Sequence, residues 1–256
     1  MNFQRHPQHP TSASLVTGCG KGIGLSCLSE LLHSPWNDRT IGVTRSQNPT
    51  MQNLSESKDK HCDLYFQDVT DHVSASNLIE NLHPSIHVKR AILNAGIRSR
   101  IALADAGPDV FENVFSVNCL STIIWTKLLI ERARKYEHPL NVLVVSSIVG
   151  ARGFSDLTTY ATSKSALEGF VRSAAVEYAK KQITINAISP GFVASSYAES
   201  FRKNRADLYQ WTLDQTPMGR WGTCQEVAKL CAFLVSPDNT YMTGAVIPCD
   251  GGWMSK

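Results

Sequence analysis

No segment of this 256-residue chain offers an apolar run approaching the ~20 residues of a bilayer span. The stretch Met1 to Ser14, with His6, Pro7, His9 and Pro10, lacks the apolar core of a secretory signal. Charge of one sign is also missing: 25 Lys and Arg face 22 Asp and Glu, and the net +3 argues for neither nucleic acid nor a membrane as partner. The seven cysteines (Cys19, Cys27, Cys62, Cys119, Cys224, Cys231, Cys249) form no Cys-x-x-Cys pair, are odd in number, and include some inside apolar runs such as Leu230–Leu234. Reduced thiols in a cytoplasmic protein are expected. There is no His-Glu-x-x-His and no Cys/His cluster, so no metal is expected. Internal repeats and linkers are absent too. What remains, 43% hydrophobic and 18% charged, fits one α/β domain with a full core over residues 14–256, preceded by a flexible arm at 1–13.

The chain begins with a strand, a glycine-rich turn and a helix. Ser14–Thr17 is apolar, Gly18-Cys-Gly-Lys-Gly-Ile-Gly24 follows, and then Leu25, Cys27, Leu28, Leu31 and Leu32 recur at helical spacing. Glycines there let a backbone approach a pyrophosphate, while the helix start supplies free N–H groups and a positive dipole end. The common G-x-G-x-x-G is not met, because position 23 is Ile23. Further strands are expected at Thr40–Thr44, Leu64–Val69, Val88–Leu93, Val142–Val145, Ile183–Ile188 and Ala245–Pro248, alternating with helices. That alternation implies a parallel sheet covered on both faces. Ligands of such sheets lie at the C-terminal strand ends. Gly18–Gly24, Thr44 and Arg45, Asp68 and Val69, Asn94-Ala95-Gly96, Ser147, and Pro190-Gly191 all fall at those ends.

The stretch Ser146–Lys164 carries the chemistry. Ser146 and Ser147 close an apolar strand, and Tyr160 and Lys164 stand four residues apart, on one face of a helix. A phenol, with an ordinary pKa of about 10, is a poor proton shuttle near neutrality. A nearby ammonium favours its phenolate. A serine hydroxyl aimed at the same point would bind a substrate oxygen, which makes a general acid/base site for a carbonyl–alcohol pair. Asn118, in the middle of the helix expected over Val110–Tyr136, is unfavourable on propensity and reads as a buried amide that kinks the helix.

The ordered set Thr17-Gly-x-x-x-Gly-x-Gly24, Asp68-Val69, Asn94-Ala-Gly96, Asn118, Ser147, Tyr160-x-x-x-Lys164, Pro190-Gly191 and Asp250-Gly-Gly252 resembles the classical short-chain dehydrogenase/reductase family over nearly the whole chain. The resemblance implies a single-domain Rossmann-like, doubly wound parallel sheet of about seven strands. It implies Tyr160 as acid/base, Ser147 as the residue orienting the substrate oxygen, and Asn118 as holder of a relay water. Lys164 is implied to bind the nicotinamide ribose and to lower the Tyr160 pKa. Tyr160 lies thirteen positions after Ser147, the family's usual separation, which selects Ser147 over Ser146. Cofactor contacts are implied at Gly18, Gly20, Lys21, Gly22, Ile23, Gly24, Thr44, Arg45, Asp68, Val69, Asn94, Ala95, Gly96, Tyr160, Lys164, Pro190, Gly191, Val193 and Ser195. Two departures stand out. Ser195 replaces the family's threonine and keeps the hydroxyl. Gly20 replaces a small hydroxyl residue and is expected to loosen the turn.

Family members using NADP(H) often carry one basic residue in the glycine turn and another after the second strand. Lys21 and Arg45 occupy those places, and Asp38 lies at the wrong end of that strand to bind a ribose. NADP(H) is therefore expected over NAD(H). The alternatives are an NAD-dependent alcohol dehydrogenase of the same fold and a catalytically silent dinucleotide-sensing protein. The complete Asn118-Ser147-Tyr160-Lys164 set argues against the latter. The substrate, a small carbonyl or alcohol, is expected against Arg98, Ile148, Arg152, Phe154, Leu157 and Phe192, under a lid formed by 196–219. A homodimer or homotetramer is expected, because the helices at Val110–Tyr136 and Thr158–Lys181 carry apolar residues on more than one face.

Overall fold

The computed structural model describes residues 10–55, 61–195 and 198–256. In chain order the elements are β1 (Thr11–Thr17), α1 (Gly22–Leu32), β2 (Arg39–Thr44), α2 (Pro49–Ser55), β3 (His61–Phe66), α3 (His72–Asn81) and β4 (Ile86–Leu93). Then come α4 (Pro108–Phe115), α5 (Ser121–Lys135), β5 (Leu140–Val145), α6 (Thr158–Tyr178), β6 (Ile183–Pro190) and β7 (Val193–Ala194). The chain ends with α7 (Ala198–Asn204), α8 (Ala206–Gln215), β8 (Gly222–Thr223), α9 (Cys224–Val235) and β9 (Val246–Cys249). Seven strands form one parallel sheet in the order β3-β2-β1-β4-β5-β6-β9, and β7 pairs with β8 apart from it.

The strands read as continuous apolar runs because both faces are covered. Successive residues alternate sides, so Leu15 and Leu93 join the core beneath α3, α5 and α6, while Val16 and Ile92 join the core beneath α1 and α9. Strand β1 starts at Thr11 rather than Ser14, and Ala13 is fully buried, so residues 11–13 of the expected arm belong to the sheet. The arm's first nine residues lie outside the described ones. Strand β6 runs through Pro190 instead of breaking before it.

The order of the sheet reverses between β1 and β4, and that is where the crevice opens. Thr17 staples the two strands there: its Oγ1 accepts from the Asn94 and Ala95 amides at 3.1 and 3.3 Å. The Asn94 side chain donates to the Gly18 carbonyl at 3.0 Å.

The helix expected over Val110–Tyr136 is present with a defect. Between α4 and α5 lies one π-turn, Ser116–Leu120, centred on Asn118. By length and mean hydropathy the continuous span Pro108–Lys135 is apolar enough to cross a bilayer, which apolar runs alone did not reveal. Half of it is buried; Val114, Trp125, Leu129 and Ile130 are core residues, and the Trp125 indole donates to the Val69 carbonyl at 3.2 Å.

Candidate active site

Two adjoining cavities lie along the C-terminal strand ends. The first, about 440 Å³, is lined by Gly18, Gly20, Lys21, Gly22, Ile23, Thr44, Arg45, Asp68, Val69, Asn94, Ala95, Gly96, Tyr160, Val193 and Ser195, all expected from the sequence. Ser46, Gln67, Ile97 and Val117 join them. Each of these four is a chain neighbour of an expected residue, so motif spacing could have found them. The second cavity, about 510 Å³, takes in Ser147, Ile148, Phe154, Leu157, Lys164, Pro190, Gly191, Phe192 and Arg98 as expected. It adds Arg100, Val145, Ser146, Val149 and Trp221, and shares Lys21, Ile23, Asn94, Gly96, Ile97, Tyr160, Val193 and Ser195 with the first.

The glycine turn has the shape of a cradle. A Cβ at Gly24 would lie 2.2 Å from the Gly18 carbonyl oxygen, so only glycine lets the start of α1 come this close to the strand end. Gly24 lines neither cavity; it shapes the turn from behind rather than facing a ligand, a correction to the expected contact. Gly20 also differs from expectation. A Cβ there would lie 2.6 Å from Thr44 Oγ1, and the Asn48 side chain donates to the Gly20 carbonyl. The turn is closely packed and tied down, not loosened. Lys21 and Arg45 both border the first cavity. Arg45 is exposed and pairs with Asp68 at 3.4 Å. The Thr70 amide and hydroxyl, with Arg45 adding to them, hold the Asp68 carboxyl below its ordinary range. Asp38 accepts from the Ser12 amide at 2.9 Å, at the opposite end of the sheet.

Ser147 leaves β5 in extended conformation and caps a short 3-10 turn, Ile148–Gly150, accepting from the Val149 amide at 3.4 Å. Its neighbour Ser146 also lines the second cavity, and its hydroxyl donates to Glu168 at 2.9 Å. Ser147 and Tyr160 share a hydrogen bond.

Lys164 is buried, with Nζ 5.6 Å from the centroid of the Tyr160 ring, and donates to the Val145 carbonyl at 2.7 Å. Burial pushes its pKa down to about 8. The Tyr160 phenol is pushed above its ordinary value by burial, opposed by the charge of Arg98 and the hydrogen bond to Ser147.

Asn118 is fully buried. Its Oδ1 accepts from the Ile97 amide at 2.8 Å, and its Nδ2 donates to the Ile97 carbonyl at 3.0 Å and to Ser163 Oγ at 2.9 Å. The side chain fastens the segment after β4 to α6. Arg152 stands away from the expected substrate wall. It lines neither cavity, is exposed, and donates to the Lys256 carbonyl at the chain end.

The segment 196–219, expected as a lid, holds α7 and α8; Ser196 and Tyr197 lie outside the described residues. Phe201 and Tyr209 pack on Trp221 at 5.5 and 5.1 Å, Trp221 stacks on Phe192 at 5.4 Å, and Trp211 meets Trp253 at 5.5 Å. An aromatic wall therefore joins these helices to the second cavity.

Comparison with known proteins agrees with this layout. A family model described as enoyl-(acyl carrier protein) reductase matches residues 18–254. The 3-oxoacyl-[acyl-carrier-protein] reductase of Salmonella typhimurium is 30% identical over 241 residues, covering 93% of this chain and 96% of the relative. The 2-dehydro-3-deoxy-D-gluconate 5-dehydrogenase of Dickeya dadantii is 26% identical over 244 residues, 95% of each chain. Among solved structures, ElxO with NADP bound superposes with a TM-score of 0.87 at 27% identity, over 96% of this chain and 100% of that one.

Proposed function

This chain belongs to the short-chain dehydrogenase/reductase family and is an oxidoreductase, and from that premise we propose that it interconverts a carbonyl and a secondary alcohol with NADP(H). One observation carries the reading. The cleft behind the glycine turn and the cavity holding Ser147 and Lys164 share a wall, and Tyr160 stands in that wall. A dinucleotide along the first cavity would end beside the phenol.

The residues present fit such a cofactor. Its pyrophosphate would meet the turn at Gly20–Ile23 and the start of α1, with Lys21 and Arg45 at hand for a further phosphate. When bound, the cofactor supplies or accepts the hydride. The chain's own groups do the rest. Ser147 orients the carbonyl oxygen by hydrogen bonding. Tyr160 donates its proton to that oxygen in reduction. Burial favours the protonated phenol over the phenolate, and the protonated form is the one a donor needs. Lys164 presents an ammonium held by the Val145 carbonyl, and is the residue proposed to hold the ribose. Asn118 and Thr17 fix the loops around the site. The NADP bound to ElxO, at 27% identity, supports the cofactor assignment, as do the two basic residues at the first cavity.

Tyr160→Phe removes the proton donor and little volume. Turnover is expected to fall at least the ~10²-fold typical of a lost general acid/base, while NADPH binding measured by nucleotide fluorescence persists. Near-normal turnover in the purified variant refutes the assignment.

A further inference from the structure

Behind the active site lies a buried carboxyl to which proton transfer at Tyr160 gives no task. Glu168 is 7% exposed and lines neither cavity. It follows Tyr160 and Lys164 in α6 at successive four-residue steps, so the three stand on one side of the helix. Glutamate is seldom buried unless paired. Here the partner is a neutral hydroxyl: Ser146 Oγ donates to Glu168 Oε1 at 2.9 Å.

The contact fixes a turn. Ser147 caps the 3-10 turn after β5, Ser146 stands just before that cap, and Gly150 ends the turn. A Cβ at Gly150 would lie 2.4 Å from Glu168 Oε1 and 3.2 Å from Ser146 Oγ, so the carboxyl oxygen fills the space beside bare backbone. The Ser165 hydroxyl donates to the Gly150 carbonyl at 2.6 Å. Helix α6 therefore grips the turn on both sides of Ser147.

Within its own turn the Ser147 hydroxyl is held weakly. The Val149 amide reaches it at 3.4 Å, long for such a bond. The backbone around it is firmer: the Ser146 amide donates to the Ile188 carbonyl at 2.8 Å, and the Gly150 amide to the Ser147 carbonyl at 2.9 Å. Those bonds tie the turn to the sheet and to itself. The bonds to Glu168 and from Ser165 tie it to α6, the helix on which Tyr160 rides. They set the place of the Ser147 hydroxyl against the Tyr160 phenol, two groups that must meet one carbonyl oxygen.

We propose, resting on the oxidoreductase reading above, that Glu168 is a positioning residue of the reaction. Acting through Ser146, it places Ser147 so that its hydroxyl and the Tyr160 phenol address the same oxygen. Ser146 is the link between carboxyl and turn. A misplacement of about 1 Å at the reacting groups costs ~10²-fold in rate, so a contact remote from substrate governs turnover here.

The test uses Glu168→Leu, which keeps much of the bulk and loses the acceptor, Glu168→Gln, which keeps an acceptor oxygen, and Ser146→Ala, which loses the donor. Reduction of acetoacetyl-coenzyme A, ethyl benzoylacetate and L-sorbose is followed with NADPH and with NADH, and NADPH Kd by nucleotide fluorescence. Glu168→Leu is expected to lower kcat about ten- to a hundredfold with NADPH Kd unchanged. Ser146→Ala should match it, and Glu168→Gln should restore most of the rate. In a Ser147→Ala background Glu168→Leu should cost nothing further, because its effect runs through that serine. Should Glu168→Leu not fold, Ser146→Ala carries the same comparison. A kcat near that of wild type in Glu168→Leu and Ser146→Ala, an equal loss with and without Ser147, or a loss of NADPH affinity alongside kcat overturns the inference and leaves the oxidoreductase reading standing. A wild type inert on every probe with both cofactors brings down both.

Discussion

Removing Arg45 isolates the basis of cofactor choice. Its side chain is 67% exposed, and its ion pair with Asp68, itself 39% exposed, is long at 3.4 Å. Such a pair contributes roughly 0–1 kcal/mol, so Arg45→Ala should hardly alter stability. A hydrogen bond to a charged group contributes about 1.5–3 kcal/mol, and solvent screening at this exposed site places a 2′-phosphate contact at the low end. At ~1.4 kcal/mol per tenfold, NADPH should bind about tenfold more weakly to Arg45→Ala. NADH, lacking the phosphate, should bind as before. The difference should shrink as salt rises, since the Debye length falls from about 30 Å at 0.01 M to about 3 Å at 1 M. Fluorescence titration of both reduced nucleotides measures this without a known substrate. Thr44→Asp puts a carboxylate at the same corner and should invert the preference towards NADH. If wild type binds NADH as tightly as NADPH, or if Arg45→Ala weakens both alike, the 2′-phosphate contact is not there and Arg45 is a surface cation.

Other consequences can be tested on the same preparations. Gly24→Ala puts a Cβ 2.2 Å from the Gly18 carbonyl oxygen and 2.5 Å from the Asn94 amide. Overpacking of this kind costs about 1–3 kcal/mol, so both Tm and NADPH affinity should drop; an unchanged melt would contradict it. His87 and His138 stack at 4.7 Å, and burial, aided by Lys89 and Arg132, holds both below the ordinary histidine value. The unfolded chain then takes up protons that the folded one refuses as pH falls from about 6.5. Stability should be flat above that pH and decline below it, and thermal melts from pH 8 to 5 should show a shallower decline in His138→Gln. Leu120 and Val176, 47% and 84% exposed on neighbouring helical segments, fit a face covered by a second copy of the chain. Sedimentation at micromolar concentration should give a dimer or tetramer, shifted towards monomer by Val176→Asp.

Much of this architecture was legible because parallel strands buried on both faces announce themselves as short apolar runs, as at Val142–Val145. The strand ends then located nearly every residue of the first cavity. Legibility failed where a side chain's direction mattered more than its position. Four-residue spacing put Lys164 beneath Tyr160, but spacing does not reveal that the Val145 carbonyl claims the ammonium. Arg152 follows Ser147 closely in sequence, yet its length carries it to the Lys256 carbonyl. Trp221 enters the second cavity from thirty residues beyond Gly191, through stacking on Phe192 that no local pattern encodes. Asn118 was readable as a helix defect, but not as the clamp on Ile97, because its partner lies 21 residues upstream.

The π-turn at Ser116–Leu120 gives the helix around it an uneven tolerance to changes in length. Each α-helical residue turns the chain by about 100°. Losing one from Ser121–Lys135 would swing the remainder of that helix round and carry buried side chains such as Leu129 and Ile130 off the sheet. The wide turn already contains one residue more than an α-turn needs. Losing one there would let the backbone close into ordinary helix with Val114 and Trp125 still facing inward. The cost would fall on the grip of Asn118 on Ile97. At this spot alone in the helix, a one-residue deletion would spare the core and strike the substrate side of the crevice.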